Sequence, residues 1–106
     1  MTPREAYDKC YDEGKRIPEL ENIIITDPFY SYRYARNIIE GRFIEGEKII
    51  STDPDYSYFY SLNIIKGPFY LCHHVIFNSK SEYKDDYIRF LKSINCDLIE
   101  IGEWLI

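Results

Sequence analysis

Apolar positions along the chain recur with helical spacing, in short bursts that come in pairs. Between Pro28 and Ile39, Tyr30, Tyr34 and Ile38 form one i, i+4, i+8 line, with Tyr32, Ala35 and Ile39 beside it. At about 100° per residue these side chains cover roughly half of a helix or more, wider than the stripe of a helix packed on one side only. That width suits a helix with neighbours on both flanks. A shorter apolar burst precedes it from Pro18, and the pair returns from Glu45 and Pro54 and again, degraded, from Phe69.

The recurrence is literal. Thr26-Asp27-Pro28 returns as Thr52-Asp53-Pro54, the string Tyr-Ser-Tyr-x-Tyr recurs, and Asn37-Ile38-Ile39-Glu40-Gly41 returns as Asn63-Ile64-Ile65-Lys66-Gly67, a period of 26. Self-similarity at such a period is the mark of stacked supersecondary units. Each unit predicts two short helices. Asp27-Pro28 and Asp53-Pro54 supply an N-cap and a first-turn proline, and Gly41 and Gly67 are placed for the left-handed residue that ends a helix. The expected architecture is all-α, short helix hairpins stacked as a small solenoid in one domain, 1–106. Residues 1–15 form an opening half unit, 16–41, 42–67 and 68–93 three repeats, and 94–106 a capping tail, read as a short strand or a closing helical turn. The third unit lacks the Asp-Pro and ends in Tyr87-Ile88-Arg89-Phe90-Leu91.

Composition narrows the function. A net charge of −5 argues against general nucleic-acid binding, which needs a cationic surface. No apolar run approaches the roughly 18 residues of a membrane span. The charged N-terminus does not read as a secretory signal. Three cysteines, Cys10, Cys72 and Cys96, lack metal-type spacing and read as free thiols in a reducing, cytoplasmic compartment.

Several residues are candidates for chemistry or contact. Phe59 and Leu62 fall in phase with Arg33 and Arg36, so a face that is polar in one unit is apolar in the next. Either a partner covers it or the apolar tail ending in Trp104-Leu105-Ile106 folds over it. Asn37 and Asn63 form a line whose amides either grip a peptide backbone or, near a helix C-terminus, satisfy carbonyls within or between the repeats. Glu19, Glu21, Glu45 and Glu47 form an acidic ladder that complements helix starts, with Arg16 and Arg42 placed to pair with Glu19 and Glu45. Cys72 aligns with Gly46 and reads as a buried small side chain. His73 and His74 align with Glu47 and Lys48, read as exposed. Adjacent histidines on a helix diverge by about 100° and do not readily share a metal.

The string Tyr30-Ser31-Tyr32-Arg33-Tyr34-Ala35-Arg36-Asn37-Ile38-Ile39-Glu40-Gly41-Arg42-Phe43, followed by Glu45-Gly46-Glu47-Lys48-Ile49-Ile50, resembles a tandem helical repeat of uncharacterised bacteriophage and large-DNA-virus proteins. The resemblance covers residues 3–67 well and 68–93 poorly. It implies an α-helical array of packing modules and a viral source, and it transfers no catalytic residue.

Together these readings lead to a non-catalytic protein-interaction module, in its most specific form a viral inhibitor that docks on a host defence protein. The expected contact surface is Tyr32, Tyr58, Phe59 and Leu62 with Asn37 and Asn63, without cofactor, metal, nucleic acid or membrane. A homo-oligomer through an apolar terminal face is a further expectation. The alternative is a small-ligand or nucleotide-binding protein with a tyrosine-lined groove between repeats or subunits. An enzyme built on Cys72 or the histidine pair is a third reading.

Overall fold

The computed structural model describes residues 1–95. Among them the secondary structure is entirely helical: α1 Pro3–Glu13, α2 Pro18–Ile24, α3 Pro28–Tyr34, α4 Glu47–Ile50, α5 Pro54–Tyr60, α6 His73–Phe77 and α7 Lys84–Ser93. Single 3-10 turns, Ile44–Gly46 and Tyr70–Cys72, lead into α4 and α6, and π turns, Ala35–Ile39 and Ser61–Ile65, continue α3 and α5. The expected tail, with Cys96 and Trp104-Leu105-Ile106, lies outside the described residues.

Local chemistry explains the helix starts. Thr2 and Glu5 close a reciprocal capping box on α1, at 3.1 and 2.9 Å. Asp27 accepts from the Tyr30 amide at 3.0 Å, and Asp53 from those of Asp55 and Tyr56 at 2.9 and 3.1 Å. Each aspartate thus satisfies donors that a helix start leaves orphaned, beside a proline that has none to satisfy.

The helix ends differ from expectation. Gly41 and Gly67 are not the left-handed residues; Glu40 and Lys66 are, at φ 58° and 57°. The cause is the π turn. The Ala35 carbonyl accepts from the amides of both Glu40 and Gly41, and the Ser61 carbonyl from those of Lys66 and Gly67. This closure is one residue wider than the usual glycine-ended one, which displaces the left-handed position by one.

The serine of each Tyr-Ser-Tyr string joins the two helices of its unit. Ser31, fully buried, donates to the Ile24 carbonyl at 2.9 Å, and Ser57 donates to the Ile50 carbonyl at the same distance. Each carbonyl also accepts a backbone amide, from Asp27 or Asp53 at 3.1 Å, so both of its lone pairs are used inside the core. Around these staples Ile24, Tyr34, Ala35, Phe43, Ile50, Tyr60, Phe69, Ile76, Tyr87 and Leu91 are buried in one cluster. The Tyr34 and Phe43 rings lie 5.0 Å apart, and the Tyr60 and Phe69 rings also 5.0 Å, a tilted geometry favourable to aromatic pairs.

Gly46 is there for space. A Cβ at this position would sit 2.6 and 2.7 Å from two atoms of the buried Phe43 ring. Gly46→Ala therefore overpacks the core and is expected to cost about 1–3 kcal/mol, read as a lower urea midpoint with an unchanged slope. The aligned Cys72 is itself fully buried, so the third unit accommodates a side chain where the second cannot.

Candidate functional site

Each unit carries a polar cluster in its interior. In the first, the Tyr34 hydroxyl donates to Glu21 Oε2 at 2.6 Å and accepts from the Ile17 amide at 3.3 Å, while Arg16 forks onto both Glu21 oxygens at 2.9 and 3.0 Å. In the second, Tyr60 donates to Glu47 at 2.6 Å and accepts from the Phe43 amide at 2.9 Å, and Arg42 binds Glu47 through two 2.8 Å contacts. The acidic ladder is thus not uniformly solvated. Glu19 and Glu45 face water, whereas Glu21 and Glu47 turn inward and take the arginines five residues before them. An i, i+5 pair is out of register within one helix; it forms because each arginine sits in the non-helical segment ahead of the helix. The Tyr34 and Tyr60 side chains that carry these hydroxyls are fully buried.

The third unit keeps the geometry and drops the charges. The Tyr87 hydroxyl accepts from the Phe69 amide at 3.0 Å and lies 2.7 Å from His73 Nε2. His73 occupies the place of Glu47 and is fully buried, contrary to the exposed position expected of it; His74 is exposed. Pro68 stands where the arginine would be, so carboxylate and guanidinium disappear together. Removing only one would leave a buried charge uncompensated.

Electrostatics follow from these contacts. The Arg16 guanidinium holds the Glu21 carboxyl below its ordinary value. Burial, reinforced by the bonded glutamate, raises the Tyr34 and Tyr60 phenols, which stay protonated donors. Burial pushes the Cys72 thiol up to about 12 and the His73 imidazole down to about 4. A nucleophilic cysteine needs the opposite shift. Among the described residues no cluster of three or more His, Cys, Asp or Glu is placed to hold a metal ion. No described helix is long and apolar enough to cross a membrane.

The expected contact residues divide. Tyr32 is buried, 5% exposed, and its hydroxyl accepts from the Asn63 amide at 3.0 Å. Asn37 likewise donates to the Tyr7 hydroxyl at 2.9 Å. Each asparagine thus ties its helix to the preceding unit. Tyr58 stacks on Tyr83 at 5.3 Å, with 12° between the planes, and Phe59 meets Tyr83 edge-on at 4.8 Å. Leu62 is half-buried.

Tyr32, Phe59 and Asn63 come together in a groove of about 790 Å³ between the ends of α3 and α5. Phe29, Tyr56 and Ile64 complete its apolar lining, and Arg33, Arg36, Glu40 and Lys66 supply charge. Tyr58, Leu62 and Asn37 are not among its walls. Asn37 instead borders a separate cleft of about 350 Å³ with Tyr7, Tyr11 and Arg33. The charged residues were not legible as a site: Arg33 and Arg36 read only as the polar face of their helix, and Arg36 and Glu40 stand at the i, i+4 spacing of a helix ion pair. The pair does not form, because Glu40 has left the helical path at φ 58°. An all-helical protein with a cationic, aromatic groove is the class that these features define. No protein-family model, curated protein or solved structure matches this chain.

Proposed function

We propose that the chain is a non-catalytic protein-interaction module: helix-hairpin units of period 26 stacked into a short solenoid, holding a segment of a partner protein in the groove between successive second helices. The groove carries this reading. Half-buried Phe29, Tyr56 and Phe59 offer aromatic anchoring surface inside a polar rim of Arg36, Asn63 and Lys66, the composition in which interface energy concentrates. Supporting the stack are the hydrogen-bonded Arg–Glu–Tyr clusters 26 residues apart, the Asn–Tyr ties between units, and extents of 43 × 22 × 20 Å, about twice as long as wide. Cys72 and His73 are buried and neither lines this groove, which favours a binding role for it over catalysis.

A steric block tests the reading without altering charge. Gly41 lines the groove, and a Cβ there would meet only the Ile39 side chain, at 4.0 Å. Gly41→Trp is therefore expected to keep the fold and place an indole at the groove wall. Peptides enriched from a random display library on the native protein should bind Gly41→Trp at least about tenfold more weakly. Equal binding, or no enrichment, overturns the proposal.

The volume also suits a small anionic aromatic ligand such as a nucleotide, since such sites run about 300–1,000 Å³. Stoichiometric binding with a rise in melting temperature would favour that reading.

A further inference from the structure

The chain has six arginines, and their pairing is uneven. Arg4, Arg16, Arg42 and Arg89 each have a carboxylate partner. Arg33 and Arg36 have none among the described residues, and both line the groove, beside the equally unpaired Lys66. In a chain with 18 acidic and 13 basic residues, carboxylates are the more plentiful partners. Three cations left without them at one place, against the single carboxylate of Glu40, make a local positive field on an acidic protein.

The cations are also held for use. The Arg33 guanidinium lies over the Phe29 ring at 5.3 Å and the Tyr7 ring at 5.1 Å. Two ring contacts restrain it, and its N–H groups, which make no hydrogen bond among the described residues, are left for a bidentate acceptor such as a carboxylate. Asn63 uses its Nδ2 on Tyr32, and its Oδ1 makes no hydrogen bond among the described residues. That oxygen can accept from the backbone of an extended segment. Arg36, Glu40, Asn63 and Lys66 are exposed, so the site is an open trough rather than an enclosed pocket.

We propose that the occupant of this groove is an acidic protein segment, with carboxylate side chains flanking an apolar or aromatic anchor. The anchor seats on Phe29, Tyr56 and Phe59, and the carboxylates meet Arg33, Arg36 and Lys66. Glu40 keeps acidic residues away from its own end and so sets direction. This inference rests on the interaction reading above and names the chemistry of its partner.

The test uses the library-enriched peptides, synthesised in native form and with every Asp and Glu replaced by its amide, and titrated by fluorescence anisotropy. The enriched set should be rich in Asp and Glu, and the amide forms should bind at least about tenfold more weakly at low salt, with the gap closing at high salt. The double variant Arg36→Glu with Lys66→Glu should lose the acidic peptides and gain their lysine-substituted forms. Lys92→Glu, on the exposed face of α7, should change neither, and circular dichroism should show every variant folded. Equal binding of amide and acidic forms overturns the acidic inference and leaves the interaction module standing. No peptide binding at all overturns both. A dimer that the double variant converts to monomer makes a second copy the occupant, and stoichiometric ATP binding without peptide binding makes it a nucleotide; either overturns the inference.

Discussion

Tyr60→Phe is expected to lower stability by about 2–4 kcal/mol, a fall of about 10–20 °C in melting temperature for a domain of this size. One oxygen is removed and no volume is lost. Among the described residues that hydroxyl is the one hydrogen-bond partner of the buried Phe43 amide, at 2.9 Å, and it donates to the buried Glu47 at 2.6 Å. Without it an N–H is orphaned where water does not reach, and the carboxylate loses its closest donor, keeping only Arg42. An unmade buried bond costs the desolvation of the group left behind, more than the bond itself contributes in net terms.

The first unit provides the control. Tyr34 makes the same two contacts, yet Ile17 and Glu21 are only half-buried and the amide contact is longer, 3.3 Å. Water can replace the missing oxygen there, so Tyr34→Phe should cost no more than about 1 kcal/mol. Urea unfolding of both variants, followed by circular dichroism, gives the comparison. Equal small losses would mean that the second cluster is not the dry, fully paired site described.

The second large effect is a loss of stability in mild acid that traces to His73. Tyr87 and His73 Nε2 share a hydrogen bond at 2.7 Å inside the core, beside the Phe69 amide. The imidazole is fully buried, in the place that the Glu47 carboxylate holds in the second unit. Protonation places a charge in that buried site. The native value is about 4 against 6.5 for the free side chain.

The sign follows directly. Between those values the unfolded chain binds the proton and the native one does not, so acid favours unfolding. Stability is unaffected above 6.5, falls as pH drops below it, and levels near 4. At about 1.4 kcal/mol per pH unit the full loss is about 3 kcal/mol. Urea midpoints of the native chain and of His73→Gln, which cannot titrate, should diverge in slope across this window. Parallel curves would show that His73 is not buried neutral. Glu21 acts in a lower window. Its carboxyl is held below 4.5 by Arg16, so its contribution is complete above 4.5 and lost only as pH falls through the depressed value.

Much of this structure was legible in the chain. Asp-Pro marks helix starts because the aspartate caps and the proline needs no partner, and both facts are local. The apolar lines through Tyr30, Tyr34 and Ile38 and through Tyr32, Ala35 and Ile39 follow from helical geometry alone. The repeated Asn and Tyr residues were visible as a pattern, but the asparagine amides bind the hydroxyls of Tyr7 and Tyr32 and not the carbonyls expected of them.

What escaped was decided by distance in space. No local rule pairs Arg42 with Glu47 instead of Glu45; a tyrosine 13 residues beyond that glutamate turns it inward. Shifting by 26 places Asp86 in phase with Tyr60, but the phenol in the equivalent slot is Tyr87, since amide and hydroxyl stand 18 positions apart in the third unit and 17 in the second. His73 looked exposed because it aligned with a glutamate that itself proved buried. Arg33, Arg36 and Lys66 became a site only when the π turns carried Glu40 off the helix and set two helix ends side by side. The sequence by itself determined where helices begin and which faces are apolar, because capping and periodicity act over a few residues. Which polar groups are dry, which are paired and which cations remain open was decided by the tertiary structure, because desolvation depends on everything packed around a group and not on its neighbours in the chain.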